Sequence, residues 1–139
     1  MASQSRAAAL TALKTLIENA LPDLNISEIP RHSDQVAAFP ALDIGWFGGT
    51  HFFEVTQEYA VRESISLKLY SSKPDFSEAQ AEMTGYIETI TDALLADATL
   101  GDTCTGCWPG RLEPYLGFAG PPHLLFLALE CELRRDYPQ

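Results

Sequence analysis

Leu10, Leu13, Ile17 and Leu21 recur at spacings of three and four behind an Ala-rich start, and Pro22 follows at once. That period is one face of an amphipathic helix, predicted over about residues 5 to 20. Leu24, Ile26 and Ile29 alternate over the length of a short strand. Between Pro30 and Pro40 the pattern stops, with Arg31, His32, Ser33, Asp34 and Gln35 in succession, and a loop is expected. Leu42, Ile44 and Trp46 then alternate with Asp43, Gly45 and Phe47 up to the pair Gly48-Gly49. A two-residue hairpin turn needs positive φ, which glycine supplies, so the pair predicts a hairpin. Across it Trp46 faces His51, Ile44 faces Phe53 and Leu42 faces Val55, while on the reverse side Phe52 covers Gly45 and Asp43 meets Glu54. Like charges directly opposite are destabilising, so that reverse face is expected to be wet or to meet a basic partner.

Ile65, Leu67 and Leu69 alternate with Ser64, Ser66, Lys68 and Tyr70, and a turn at Tyr59 to Val61 would set Ile65 beside Val55 in a three-strand meander. Ser77-x-x-Gln80 has the form of a capping box, with Asp75 and Glu78 placed to favour the positive end of a helix dipole. The stripe Phe76, Ala79, Met83, Ile87, Ile90 and Leu94 extends that helix over about residues 77 to 97. Gly101 to Pro122 is rich in Gly and Pro and reads as a long loop with one strand around Leu112 to Phe118. Leu125, Leu127, Leu129, Cys131 and Leu133 form one face of a last strand, with Glu130, Glu132 and Arg134 on the other. The expectation is an α+β fold: an antiparallel sheet, meander plus C-terminal strand, with two helices on one face.

A length of 139 residues makes residues 1–139 one expected domain, large enough to bury about two thirds of its surface without staples. The longest apolar run, Leu124 to Leu129, is six residues, far short of the roughly 20 of a membrane helix. The start of the sequence shows no secretory signal, and an odd count of three Cys suits a reducing cytoplasm. The formal charge of −10 opposes neutralisation of a phosphate backbone. The same balance suits a wall along which DNA slides without sticking.

Cys104-Thr105-Gly106-Cys107 is the one compact constellation, and His123 and Cys131 complete four zinc-ligand types. The second pair is eight residues apart and Cys131 falls in a core-facing row, which argues against metal. Trp108-Pro109-Gly110 after the second Cys reads as a turn, not the helix N-terminus that stabilises a reactive thiolate. His32, His51 and His123 are scattered, and no Ser or Cys has a readable base beside it. Gly45-x-x-Gly48-Gly49 lacks the Lys of a phosphate loop. No catalytic residue, metal or cofactor is expected. Phe47 and Phe52, directed outward by the hairpin register, are candidate docking aromatics.

The order of these pieces resembles the tail-terminator proteins of tailed bacteriophages. The resemblance rests on the helix Ala9-Leu-Thr-Ala-Leu-Lys-Thr-Leu-Ile17 with Leu21-Pro-Asp23 behind it, the Pro40 entry to the meander, and Ile65-Ser-Leu-Lys-Leu-Tyr70. It rests further on the helix ending in Ala96-Asp-x-Thr-Leu-Gly101, and on the closing Glu132-Leu-Arg-Arg-Asp-Tyr137. The resemblance implies a homo-oligomeric ring, commonly a hexamer, that caps the tail tube, ends its polymerisation and joins the tail to the head connector. It implies the tail tube protein, connector or neck proteins and sheath-terminal proteins as partners, genomic DNA passing through without specific binding, and a place in the virion after assembly in the bacterial host cytoplasm. The loops at 30 to 40 and 101 to 122 become contact elements, so Arg31, His32, Trp108 and Arg111 join Phe47 and Phe52 as candidate interface residues. The alternatives are a neck or completion protein of the same particle, or a small metal- or thiol-dependent protein using Cys104 and Cys107.

Overall fold

Ser5 starts the first helix: its hydroxyl accepts the Ala8 N–H at 3.2 Å, and α1 follows over Arg6–Ala20. The helix buries Ala9, Leu13 and Ile17 and stops before Pro22, which cannot continue it. The computed structural model describes residues 3–32, 35–52, 58–115 and 122–136, with the backbone alone for Pro114 and Tyr115. The second helix, α2, spans Phe76–Ala96 and is capped by Asp75, whose carboxylate accepts the Ser77 N–H at 2.8 Å. The cap therefore lies two residues ahead of the expected Ser77, because a carboxylate at that position meets both the free N–H groups and the positive end of the dipole. Beyond Ala96, Leu100, Gly101 and Asp102 take φ of 50°, 65° and 65°, left-handed geometry that ends the helix and turns the chain.

Five strands form one sheet: β1 (Asn25–Ser27), β2 (Ala41–Phe52), β3 (Glu58–Ser71), β4 (Gly106–Tyr115) and β5 (His123–Asp136), in the spatial order β1-β2-β3-β5-β4. β1 is parallel to β2 and every other pairing is antiparallel. The molecule is an α+β fold with both helices on one face, as expected. Alternation sends Leu42 and Ile44, then Val61, Ile65, Leu67 and Leu69, then Leu125, Leu127, Leu129 and Leu133 against the buried stripes of α1 and α2. A smaller apolar group, Val36, Ala41 and Tyr70, lies apart from that core.

The hairpin at Gly48-Gly49 does not form. β2 runs straight through the pair, and the register shifts by a bulge between Trp46 and Gly49, with Gly48 at φ 100°. Positive φ serves a bulge as well as a turn, and here the longer ladder wins. Trp46 pairs with Ile65, Ile44 with Leu67, Leu42 with Leu69 and Asp43 with Lys68, so the like-charge pair is replaced by an opposite one. Phe53, Glu54 and Val55, the partners expected across the hairpin, lie outside the described residues. Gly45 is covered by the ring of Phe47, not of Phe52. The turn expected at Tyr59 to Val61 is the interior of β3, and the strand expected from Leu112 begins instead at Gly106.

Candidate functional site

Asp43 points to the face of the sheet that carries no helix, yet it is 1% exposed. The Arg31 N–H donates to its Oδ2 at 2.7 Å and the Arg31 Nε to its Oδ1 at 2.7 Å. The Tyr70 hydroxyl donates to Asp43 Oδ2 at 2.6 Å and stands 2.7 Å from the Arg31 carbonyl, which also accepts from Lys68 Nζ at 3.1 Å. Burial raises the Tyr70 hydroxyl well above the ordinary tyrosine value, and the bond to Asp43 adds to it. Arg31 Nη2 closes the network on the Asn25 carbonyl at 3.1 Å. Arg31, expected on a contact surface, is thus engaged inside the subunit, where it straps the loop to the sheet. His32 beside it is exposed, with its main-chain N–H donating to Gln35 Oε1 at 2.9 Å.

The other candidates lie on that same helix-free face. Phe47, 67% exposed, joins Phe126, Ser66 and Ala128 around a groove of about 310 Å³ whose rim carries Arg111 and Glu113, paired at 2.6 Å. Phe52 stands under the Arg62 guanidinium, 4.6 Å from ring centroid to charge, and Arg62 is held in turn by Glu132 at 3.3 Å and Glu130 at 3.5 Å. Trp108 lays its indole over Gly106, where any Cβ would collide with the ring at 2.1 Å. The structure therefore brings Phe47 and Arg111 together, keeps Phe52 and Trp108 on the same face, and engages Arg31 there with Asp43. Among the described residues β2 is paired with β1 over Ala41–Asp43 alone, which leaves the edge of β2 beyond Asp43 open. The opposite edge, β4, carries Pro109 and Pro114, residues that blunt strand addition.

Cys107 and Cys131 stand directly opposite across β4 and β5, with Cys104 close enough to bond Cys131; all three are buried. The bond to Cys131 and burial push the Cys104 thiol far above its usual value. For Cys131, donation from Cys104 acts downward, but the bond with Cys107 and burial carry it up to about 12. Raised and buried in this way, the Cys104 and Cys131 thiols favour the protonated form, which is the poorer nucleophile. His123 sits opposite Ser71 at the far end of β5, eight residues or roughly 26 Å of strand from Cys131, with its ring edge-on to Phe76. The four-ligand zinc set is therefore not assembled, and no group of three or more His, Cys, Asp or Glu among the described residues is arranged to hold a metal ion.

A cleft of about 560 Å³ at the N-terminal end of α1 escaped the sequence reading. Leu10, Val61 and Leu133 floor it, and Arg6, His51, Tyr59, Glu63 and Arg135 rim it. The Arg6 guanidinium lies 3.9 Å over the Trp46 ring and 3.7 Å from the Glu63 carboxylate, which accepts the Trp46 indole N–H. Arg135 Nη1 donates to the Gln4 carbonyl at 3.4 Å, while its buried Nε has no partner among the described residues. Arg6 and Arg135 are joined only by the fold, and the lone signal in the chain is the cationic pair Arg134-Arg135.

No family model and no curated protein matches this chain. Its fold does recur among solved structures. A chain in the virion of a native gene transfer agent (GTA) particle superposes with a TM-score of 0.51 at 11% identity, over 96% of this chain and 100% of that one.

Proposed function

We propose that this chain is a structural subunit of a phage-like virion, and within such a particle the tail terminator: a homo-oligomeric ring, six copies round, that caps the tail tube and joins it to the head connector. The observation that carries the reading is the likeness of fold to a virion chain over 96% of one and 100% of the other, which leaves no large element of either unmatched. The exposed aromatics Phe47, Phe52 and Trp108 and, among the described residues, the open edge of β2 support it, since they are surfaces suited to other protein chains. A ring needs a heterologous contact whose rotation closes.

On this reading the mechanism is steric: the ring occupies the surface to which the next tube layer would add, and no bond is made or broken. Tube protein meets one side and connector or neck proteins the other, with sheath-terminal proteins beside it in a contractile tail. The net charge of −10 keeps DNA moving through the lumen without adhesion. Native mass measurement tests the reading. A species of six times the 15.3 kDa subunit supports it, and a strict monomer at every concentration, with or without purified tube ends, overturns it. A ring that captures connector and ignores tube ends would make the chain a neck protein instead.

A further inference from the structure

Charge is divided unevenly between two parts of this molecule. Four of its nine Lys and Arg residues, Arg6, Arg62, Arg134 and Arg135, gather at the end of the sheet where β3 begins and β5 finishes, among Glu58, Glu63, Glu130, Glu132 and Asp136, so that both signs meet there. Residues 75–102 hold seven acids and no Lys or Arg, and none of the seven is ion-paired among the described residues. The helix ends repeat the imbalance. The first turn of α1, whose dipole favours an anion, has no acidic residue, and the last turn of α2, which favours a cation, has no basic one.

One face of α2 carries the residue types that complement the cleft. Glu88, Asp92 and Leu95 fall at i, i+4 and i+7, so they stand above one another on one side of the helix. All three are exposed, and Leu95 is 66% exposed, an apolar side chain beside two carboxylates. The cleft has an apolar floor under Arg6 and Arg135 at the positive end of α1, with Arg6 shared with the rim carboxylate of Glu63 and Arg135 facing no carboxylate among the ion pairs of the described residues.

We infer that the Glu88–Asp92–Leu95 face of α2 in one copy docks into the Arg6–Arg135 cleft of the next. Leu95 enters over Leu10 and Leu133, and the carboxylates meet the guanidinium groups at the positive end of α1. Because the two surfaces differ and lie on one chain, the contact is head-to-tail and repeats from copy to copy, the geometry a ring requires. The inference rests on the ring reading and names the surfaces that build it.

The test is native mass measurement and analytical ultracentrifugation of the full chain across concentration, with thermal melts as the folding control. Leu95→Ser and the double change Glu88→Lys with Asp92→Lys alter exposed positions, so melts are expected to match the wild type. Each is expected to raise the concentration for assembly at least about tenfold, as does Arg135→Glu. Combining Arg135→Glu with Asp92→Lys restores part of the lost assembly, an effect that mere damage to the fold would not produce. A wild-type ring unmoved by the α2 variants overturns this inference and leaves the ring standing. A wild type that never assembles overturns both.

Discussion

Arg31 and Asp43, twelve residues apart in the chain, meet at 2.7 Å beneath the loop that crosses the helix-free face of the sheet. The pair joins a main-chain donor, a guanidinium and a phenol on one carboxylate, so the loop is held by a buried polar network beside the small apolar cluster of Val36, Ala41 and Tyr70.

Removing one partner leaves the others buried and unmatched. Asp43→Ala is expected to lower unfolding free energy by about 3 kcal/mol, seen as a lower urea midpoint at unchanged slope. Asp43→Asn keeps the shape and one acceptor oxygen and should lose less. A cost for Asp43→Ala below about 1 kcal/mol would show that the loop is held by something else.

The buried thiols set an alkaline limit. Cys104 and Cys131 are raised in the folded chain, Cys131 to about 12, so the unfolded chain gives up its thiol protons first. Their contribution is complete below the ordinary thiol range, about pH 8.5, and is lost as pH climbs toward the folded value. The loss is about 1.4 kcal/mol per pH unit for each linked thiol. Urea midpoints should fall steadily from pH 9 upward and fall less steeply in Cys131→Ala. A flat profile over that range would contradict the arrangement, as would rapid reaction of the native protein with an aromatic disulfide reagent.

Two glycines are expected to respond in opposite directions. A Cβ at Gly49 would stand 2.7 Å from Glu63 Oε2 and 2.9 Å from the Arg62 carbonyl, so Gly49→Ala should cost about 2 kcal/mol. Gly85 is exposed within α2 and a Cβ there meets nothing within 4 Å, so Gly85→Ala should stabilise by about 1 kcal/mol. Thermal melts of the two variants read both signs, and a stabilised Gly49→Ala would refute the bulge packing.

Phe47 is exposed on the groove it shares with Phe126 and Arg111. On the proposed virion role, Phe47→Ser should weaken capture of tube ends or connector at least about tenfold while changing fold stability by less than about 1 kcal/mol. Unchanged capture in a co-sedimentation assay would remove this groove from the docking surface.

Both helices, the alternation of β3 and β5 and the inward row Leu125, Leu127, Leu129, Cys131 and Leu133 could be read from the chain, because each is a short-range periodicity that the buried face imposes on its own segment. The α+β class follows from those pieces. Strand pairing could not be read in the same way. Gly48 satisfies a turn and a bulge equally, and what decided for the bulge was the ladder between β2 and β3, whose partners lie up to 29 residues apart. The same holds for Arg31, a loop cation by sequence, which finds Asp43 only once β2 is seated. It holds too for the cleft, where Arg6 and Arg135 come from opposite ends of the chain. Local pattern decides which face of an element is apolar; which charges then meet depends on contacts between distant segments, and those the tertiary structure alone selects.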